Sequence, residues 1–262
     1  MKKIYIHTDL EGISGIDKAE MVKAGLDSNS EHVTKRLMAD VNAAIDGAFA
    51  GGAGHVTVLD SHGGGGNFDL SLLDKRAEFD TKPNKKWWGI LDESYYGSFF
   101  IGAHAMAGTL RGFLDHTQDS TRIYNYYVNG RKMGELGQWA MVCGHYGVPL
   151  IMMSGDTAAV NEASQFFAGI ETADVKTGLS RTAARLVNSG EALKRISKAA
   201  KTAVEKEKNE LPKPFLPLLP MEIKIEFTRA DYCDPKEREE NVERIDSRTA
   251  RKISQSYQDF WF

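Results

Sequence analysis

The sequence predicts an α/β fold: a mixed, largely parallel sheet flanked by helices, with a smaller C-terminal α+β subdomain. Three observations predict it. Short apolar runs alternate with helix-period segments across glycine-marked joints, the pattern of parallel strand–helix–strand units. Asn129-Gly130, a strong hairpin dipeptide, separates two strand-forming stretches and interrupts that parallel order. Four of the seven prolines fall between Pro212 and Pro220, and the alternating stretch Met221-Glu222-Ile223-Lys224-Ile225-Glu226-Phe227 follows them. The proline segment sets the expected boundary, with residues 1–210 forming the α/β unit and residues 211–262 the C-terminal segment.

The elements follow in order along the chain. Ile4-Tyr5-Ile6 reads as a buried strand. Ser28-Asn29-Ser30-Glu31 has capping-box spacing ahead of a helical stripe through Val33, Leu37, Val41, Ala44, Ile45 and Ala48, which Gly51-Gly52 ends. His55 to Leu59 reads as a second strand and delivers Asp60-Ser61-His62 to its carboxyl end. The run Ser98 to Gly102 reads as a third and delivers His104. Ile123 to Val128 and Arg131 to Met133 flank the hairpin turn, and Glu135 opens a helix through Trp139 and Cys143. Val148 to Met153 is a further buried strand; Pro149 is tolerable near its start, where no ladder donor is needed. A helix ends near Phe167, and Ser180 to about Asn209 is expected to be helical with a break near Asn188-Ser189-Gly190.

Bulk properties narrow the function classes. The chain of 262 residues carries 33 basic and 36 acidic side chains, so its net charge of −3 provides no global positive field for nucleic acid. Basic and acidic residues interleave in KTAVEKEKNE and DPKEREENVERID, as on solvated helix faces. No stretch approaches the eighteen or so apolar residues of a membrane span. Two distant cysteines, Cys143 and Cys233, fit a reduced cytoplasmic setting without a disulfide framework. No phosphate-binding G-x-x-x-x-G-K-[ST] and no G-x-S-x-G nucleophile motif occurs.

The chemistry gathers at strand ends. Asp9 and Glu11 sit one residue apart where the first strand closes, so in extended chain both carboxylates project to one side and repel unless a cation intervenes. Asp60 and His62 leave the second strand and His104 the third, at the sheet edge where open α/β folds bind ligands. Carboxylate oxygens combined with imidazole nitrogens suit zinc or another first-row divalent ion, whereas calcium and magnesium favour all-oxygen shells. Glu135 could add a sixth group, and this excess of acids over the needs of one ion favours a two-metal cluster. Each residue alone has an ordinary explanation: Glu135 as a helix-start acid, Asp60 as an orienting acceptor for His62, His7 as a buried strand histidine sharing the face of Asp9. His116, from a loop, could act as general acid or base or hold an oxyanion, with Asp115 or another acid raising its basicity. His32, His55 and His145 read as structural.

These residues lie within an ordered set of motifs: D-x-E-G, V-x-D-S-H, G-x-H-A, N-G-R-x-x-G-E-L-G, V-P-x-x-x-x-x-G-D and V-K-x-x-x-S-R. The set resembles the D-aminopeptidase family of zinc peptidases, peptidase family M55, from about Lys3 to Ser189 with a looser match beyond. The resemblance implies a site of two Zn2+ per subunit, with Co2+ or Mn2+ as alternatives, held by Asp9, Glu11, His62, His104 and Glu135, and His116 as the catalytic histidine. It implies short peptides, D-Ala-D-Ala-like, as substrates, and a ring-like homo-oligomer for which a decamer is a candidate count. Two positions depart from the family pattern: His7 stands where a serine is usual, and Asp115 replaces a small residue before His116. The expected activity is therefore zinc-dependent removal of the N-terminal residue of short peptides. A metal-dependent amidase or deacylase, and a non-catalytic metal or peptide binder, are the alternatives.

Overall fold

The computed structural model describes residues 1–22 and 30–262. Its strands are β1 (Lys2–Thr8), β2 (Ala53–Asp60), β3 (Glu78–Phe79), β4 (Gly97–Ala103), β5 (Ile123–Val128) and β6 (Arg131–Lys132). They continue with β7 (Leu150–Asp156), β8 (Glu171–Ser180), β9 (Ala183–Leu186), β10 (Met221–Phe227), β11 (Val242–Arg244) and β12 (Thr249–Ser254). The main helices are α1 (Ser30–Ala50), α2 (Glu135–His145), α3 (Thr157–Phe166) and α4 (Ser189–Glu205). No helix among the described residues is long and apolar enough to cross a membrane.

Seven strands form one sheet in the order β3-β2-β1-β4-β7-β8-β9, parallel throughout except for β9. The period-two alternation of each strand divides its side chains between two layers. Ile4, Ile6, Val56, Val58, Phe99 and Ile101 face α1 and α4, whereas Tyr5, Leu59, Phe100 and Met153 join the core formed with α2 and α3. This is the α/β architecture the sequence predicts. The second sheet, β11-β12-β10-β5-β6, is antiparallel and shares the α2 core through Tyr126, Ile223 and Ile225. Asn129 and Gly130 both take positive φ, 50° and 77°, as the hairpin between β5 and β6 requires. The alternation of β10 is likewise reproduced, its Met, Ile and Phe residues buried and its charges half-buried.

One expectation is corrected. Residues 180–188 are not helical: Ala183–Leu186 form the antiparallel edge strand β9 against β8, and α4 begins only at Ser189. Ala, Arg and Leu are helix formers, and β9 is largely exposed, so neither composition nor alternation marks it as a strand; pairing to β8 overrides propensity. The preceding strand β8, ETADVKTGLS, likewise carries no alternation of apolar and polar residues sustained along its length. The capping-box spacing at Ser28 falls on residues outside those described.

The chain runs from β1 out to β2 and β3 on one side, then returns to lay β4 on the other side of β1. That reversal opens a crevice beyond the carboxyl ends of β1 and β4, the place where ligands bind in such sheets. Beneath it, Asp40 of α1 is fully buried and accepts hydrogen bonds from the Ser14 amide and hydroxyl. Burial pushes its carboxyl up to about 6, above its ordinary 3.8. With the folded value above the unfolded one, Asp40 favours folding most below pH 4, and this contribution is lost as pH rises through about 6. Relative to Asp40→Asn, the wild-type unfolding free energy is expected to fall by about 2 kcal/mol between pH 4 and pH 7. Denaturant titrations at both pH values check this, and a pH-independent difference between the two proteins would contradict it.

Candidate metal centre

The loop that leaves β1 is seated directly on β4. The Asp9 amide donates to the Ile101 carbonyl at 2.9 Å and the Gly12 amide to the Gly102 carbonyl at 2.8 Å. A Cβ at Gly12 would lie 2.0 Å from the Ala103 carbonyl oxygen, so the glycine of D-x-E-G is there to let the loop reach its neighbour. Seated in this way, Asp9 and Glu11 lie buried beside the ends of β2 and β4.

Two triads result. Asp9, Glu11 and His62 form one, and His104, His116 and Glu135 the other, with the donor atoms of each within 4.8 Å of one another. In the first, His62 Nδ1 is 3.0 Å from Asp9 Oδ1 and 3.2 Å from Glu11 Oε2. A single ring N–H serves one carboxylate, so Glu11 Oε2 is left buried without a hydrogen-bond partner. In the second, His104 Nε2 lies 3.4 Å and His116 Nε2 3.6 Å from Glu135 Oε1. Asp9 links the two triads, because its Oδ2 lies 3.3 Å from His104 Nε2 while its Oδ1 faces His62. All five expected ligands and His116 therefore converge.

Hydrogen bonds fix the direction of the ring nitrogens. His104 Nδ1 lies 3.0 Å from the Ala105 carbonyl and His116 Nδ1 2.7 Å from that of Leu114, which makes Nδ1 the donor in each neutral ring. The lone pairs on Nε2 then point at carboxylate oxygens. Asp9 Oδ2 and His104 Nε2 are buried and have no hydrogen-bond partner. Such an arrangement is repulsive unless a cation or proton sits between the acceptors. The protein's own charges respond accordingly. Burial alone would raise Asp9, yet the adjacent His104 and His62 imidazoles hold its carboxyl well below the usual range. Burial alone would lower His62, yet Asp9 and Glu11 push it up to about 11. His104 rises in the same way, against its burial, under the charges of Glu135 and Asp9. An arrangement that binds protons this strongly attracts divalent cations for the same reason, and mixed carboxylate–imidazole sets of this kind fit zinc.

The supporting residues differ from expectation at Asp60 and Asp115. Asp60 does not orient the His62 ring; its carboxylate accepts from the amides of Asn67 and Phe68 and the Asn67 side chain, pinning the glycine-rich loop. Asp115 turns away from His116 to accept from the Gly108 amide at 2.6 Å, leaving Glu135 as the acid beside His116. His7 enters neither triad and stacks on Trp139, with centroids 4.2 Å apart.

Other contributors carried little sequence signal. Lys176, fully buried in β8, donates to the backbone carbonyls of Glu11 at 2.6 Å and Ile16 at 2.7 Å, tying down the loop that carries both acids. A lysine inside a buried strand is the signal that could have marked it. Glu162 of α3, pushed up to about 7 by burial, accepts from the Met106 amide and holds the chain after His104. Gln138 of α2 is buried beside the cleft, its Oε1 accepting from Gln118 and its Nε2 without a hydrogen-bond partner.

Comparison with known proteins fits this geometry. The family model for the M55 peptidases, described as D-aminopeptidase, matches residues 1–261. The chain belongs to the D-aminopeptidase family M55. A D-aminopeptidase from Bacillus subtilis (strain 168) is 33% identical to it over 228 residues, 86% of this chain and 81% of the relative. The solved structure of the Zn-dependent D-aminopeptidase DppA from Bacillus subtilis, described as a self-compartmentalizing protease, superposes with a TM-score of 0.91 at 28% identity. That likeness covers 98% of this chain and 93% of the other. As an M55 member the protein is an aminopeptidase.

Proposed function

We propose that the protein is a zinc aminopeptidase that releases the N-terminal residue of short, D-amino-acid-containing peptides at a dinuclear site. One observation carries this reading: the Asp9 carboxylate straddles two carboxylate–imidazole triads, one oxygen toward each, with Oδ2 buried and unpartnered. Asp9, Glu11 and His62 would hold one ion and Asp9, His104 and Glu135 the other. When bound, the pair supplies a polarised substrate carbonyl and a water of lowered pKa.

The chain's own residues do the rest. Glu135 lines the cleft at the start of α2, where the helix dipole favours its charged form, and is the proposed base. His116 is the more accessible of the two stacked histidines, with a side chain 14% exposed against 2% for His104. It reaches the cleft, and with a proton on Nε2 it would steady the tetrahedral oxyanion or pass that proton to the leaving amine.

Purified protein assayed with D-Ala-D-Ala, L-Ala-L-Ala and N-acetyl-D-Ala tests the reading. Hydrolysis of D-Ala-D-Ala is expected, with loss on EDTA treatment and recovery on adding Zn2+. Preference for the acylated amino acid would favour an amidase or deacylase instead. Co2+ and Mn2+ suit the same donors, so elemental analysis decides the native metal. The self-compartmentalizing character of the DppA relative supports a homo-oligomer for this chain too, with a decamer as the candidate count, readable by analytical ultracentrifugation.

A further inference from the structure

The cleft over the two triads measures about 510 Å³, within the range of small-ligand pockets. Much of its wall is aromatic. His7 stacks on Trp139 at 4.2 Å and 20°, Trp139 meets Trp87 at 5.9 Å, and Trp87 meets Phe260 edge-on at 5.7 Å. Trp261 lines the same cleft. Trp87 and Trp261 remain 39% and 41% exposed, so their rings contribute surface to the cleft as well as to the core. Large apolar surface left facing a ligand cleft gains free energy only when a ligand covers it. Methyl side chains would leave most of these rings uncovered.

A cation stands in the same cleft. Lys82 Nζ donates once, to the Gly64 carbonyl at 2.9 Å, and no carboxylate lies within 4.0 Å of it among the described residues. An ammonium has three donors, so two remain for a ligand. Lys82 and Trp87 belong to one short segment and both line the cleft. A single substrate residue carrying both an apolar side chain and a free carboxylate can therefore meet both.

Resting on the aminopeptidase reading, we propose that the cleft selects short peptides whose residue after the scissile bond is large and apolar or aromatic. Its side chain lies on the wall from His7 to Trp87, and its terminal carboxylate pairs with Lys82. His7, in place of the serine usual in the family pattern, extends that wall by stacking on Trp139. The preferred substrate is thus a dipeptide with a bulky C-terminal residue, with alanyl dipeptides turned over less efficiently.

The test uses zinc-loaded enzyme and the dipeptides D-Ala-D-Phe and D-Ala-D-Ala, with the all-L pair in parallel. The expected kcat/KM for the phenylalanyl peptide exceeds that for the alanyl peptide by about tenfold or more. Trp87→Ala brings this ratio toward one. Amidating the C-terminus of D-Ala-D-Phe lowers wild-type kcat/KM about fivefold but changes Lys82→Met little. A ratio of one or below in the wild type, or a ratio untouched by Trp87→Ala, overturns the proposal while leaving the aminopeptidase reading intact. Tryptophan fluorescence provides a readout independent of turnover. Tighter binding of D-Ala-D-Phe than of D-Ala-D-Ala without any hydrolysis would sustain the aromatic wall and refute the peptidase reading.

Discussion

Asp9→Asn is expected to strip the protein of both bound metals and to lower turnover at least about a thousandfold. The substitution preserves shape and the oxygen that accepts from the Leu10 amide at 2.9 Å, so the loop should stay folded. What it removes is the one anion shared by the two triads. It also removes a carboxylate that the His62 and His104 imidazoles hold in its charged form, so at neutral pH the metal-depleted variant should be less stable than metal-depleted wild type. Metal content by mass spectrometry and thermal unfolding after EDTA treatment check both parts. A variant that retains two equivalents of zinc would refute the bridging role.

His116→Ala should behave in the opposite way. Zinc content is expected to match wild type while kcat falls about 10²- to 10⁴-fold, the range of a lost general acid or oxyanion donor. The prediction follows from position. His116 comes from a loop, opens on the cleft and lies over the buried His104 ring, centroids 4.0 Å apart, while Asp9 and Glu135 already flank His104. Its Nε2 is nevertheless close enough to Glu135 to act as a ligand. Loss of one zinc equivalent in the variant would assign it to the metal and leave the proton transfer to Glu135.

Much of the fold was legible in the sequence because local pattern and tertiary role coincide. Ile4-Tyr5-Ile6 and Met221 to Phe227 alternate as the two faces of their strands demand, and Asn129-Gly130 forms the turn its positive φ angles require. Where β9 forms, local pattern and tertiary pairing disagree: helix-forming residues are drafted into an exposed edge by the hydrogen bonds of β8. The convergence of Asp9, Glu11, His62 and His104 was legible for a topological reason. Parallel strands end at the same edge, so polar residues just past each strand must meet. Side-chain direction was not legible. Asp60 and Asp115 sit next to the right histidines in sequence but turn to backbone amides in loops whose shape only packing decides. Lys82, Trp87 and Phe260 reach the cleft from segments whose place is set by long-range contacts, and no local spacing reports that.

The dinuclear centre is tested most directly by anomalous scattering at the zinc edge from crystals of the purified protein. Two peaks per chain are required, one among Asp9, Glu11 and His62 and the other among Asp9, His104 and Glu135. A single peak, or zinc bound away from the Asp9 carboxylate, would contradict it.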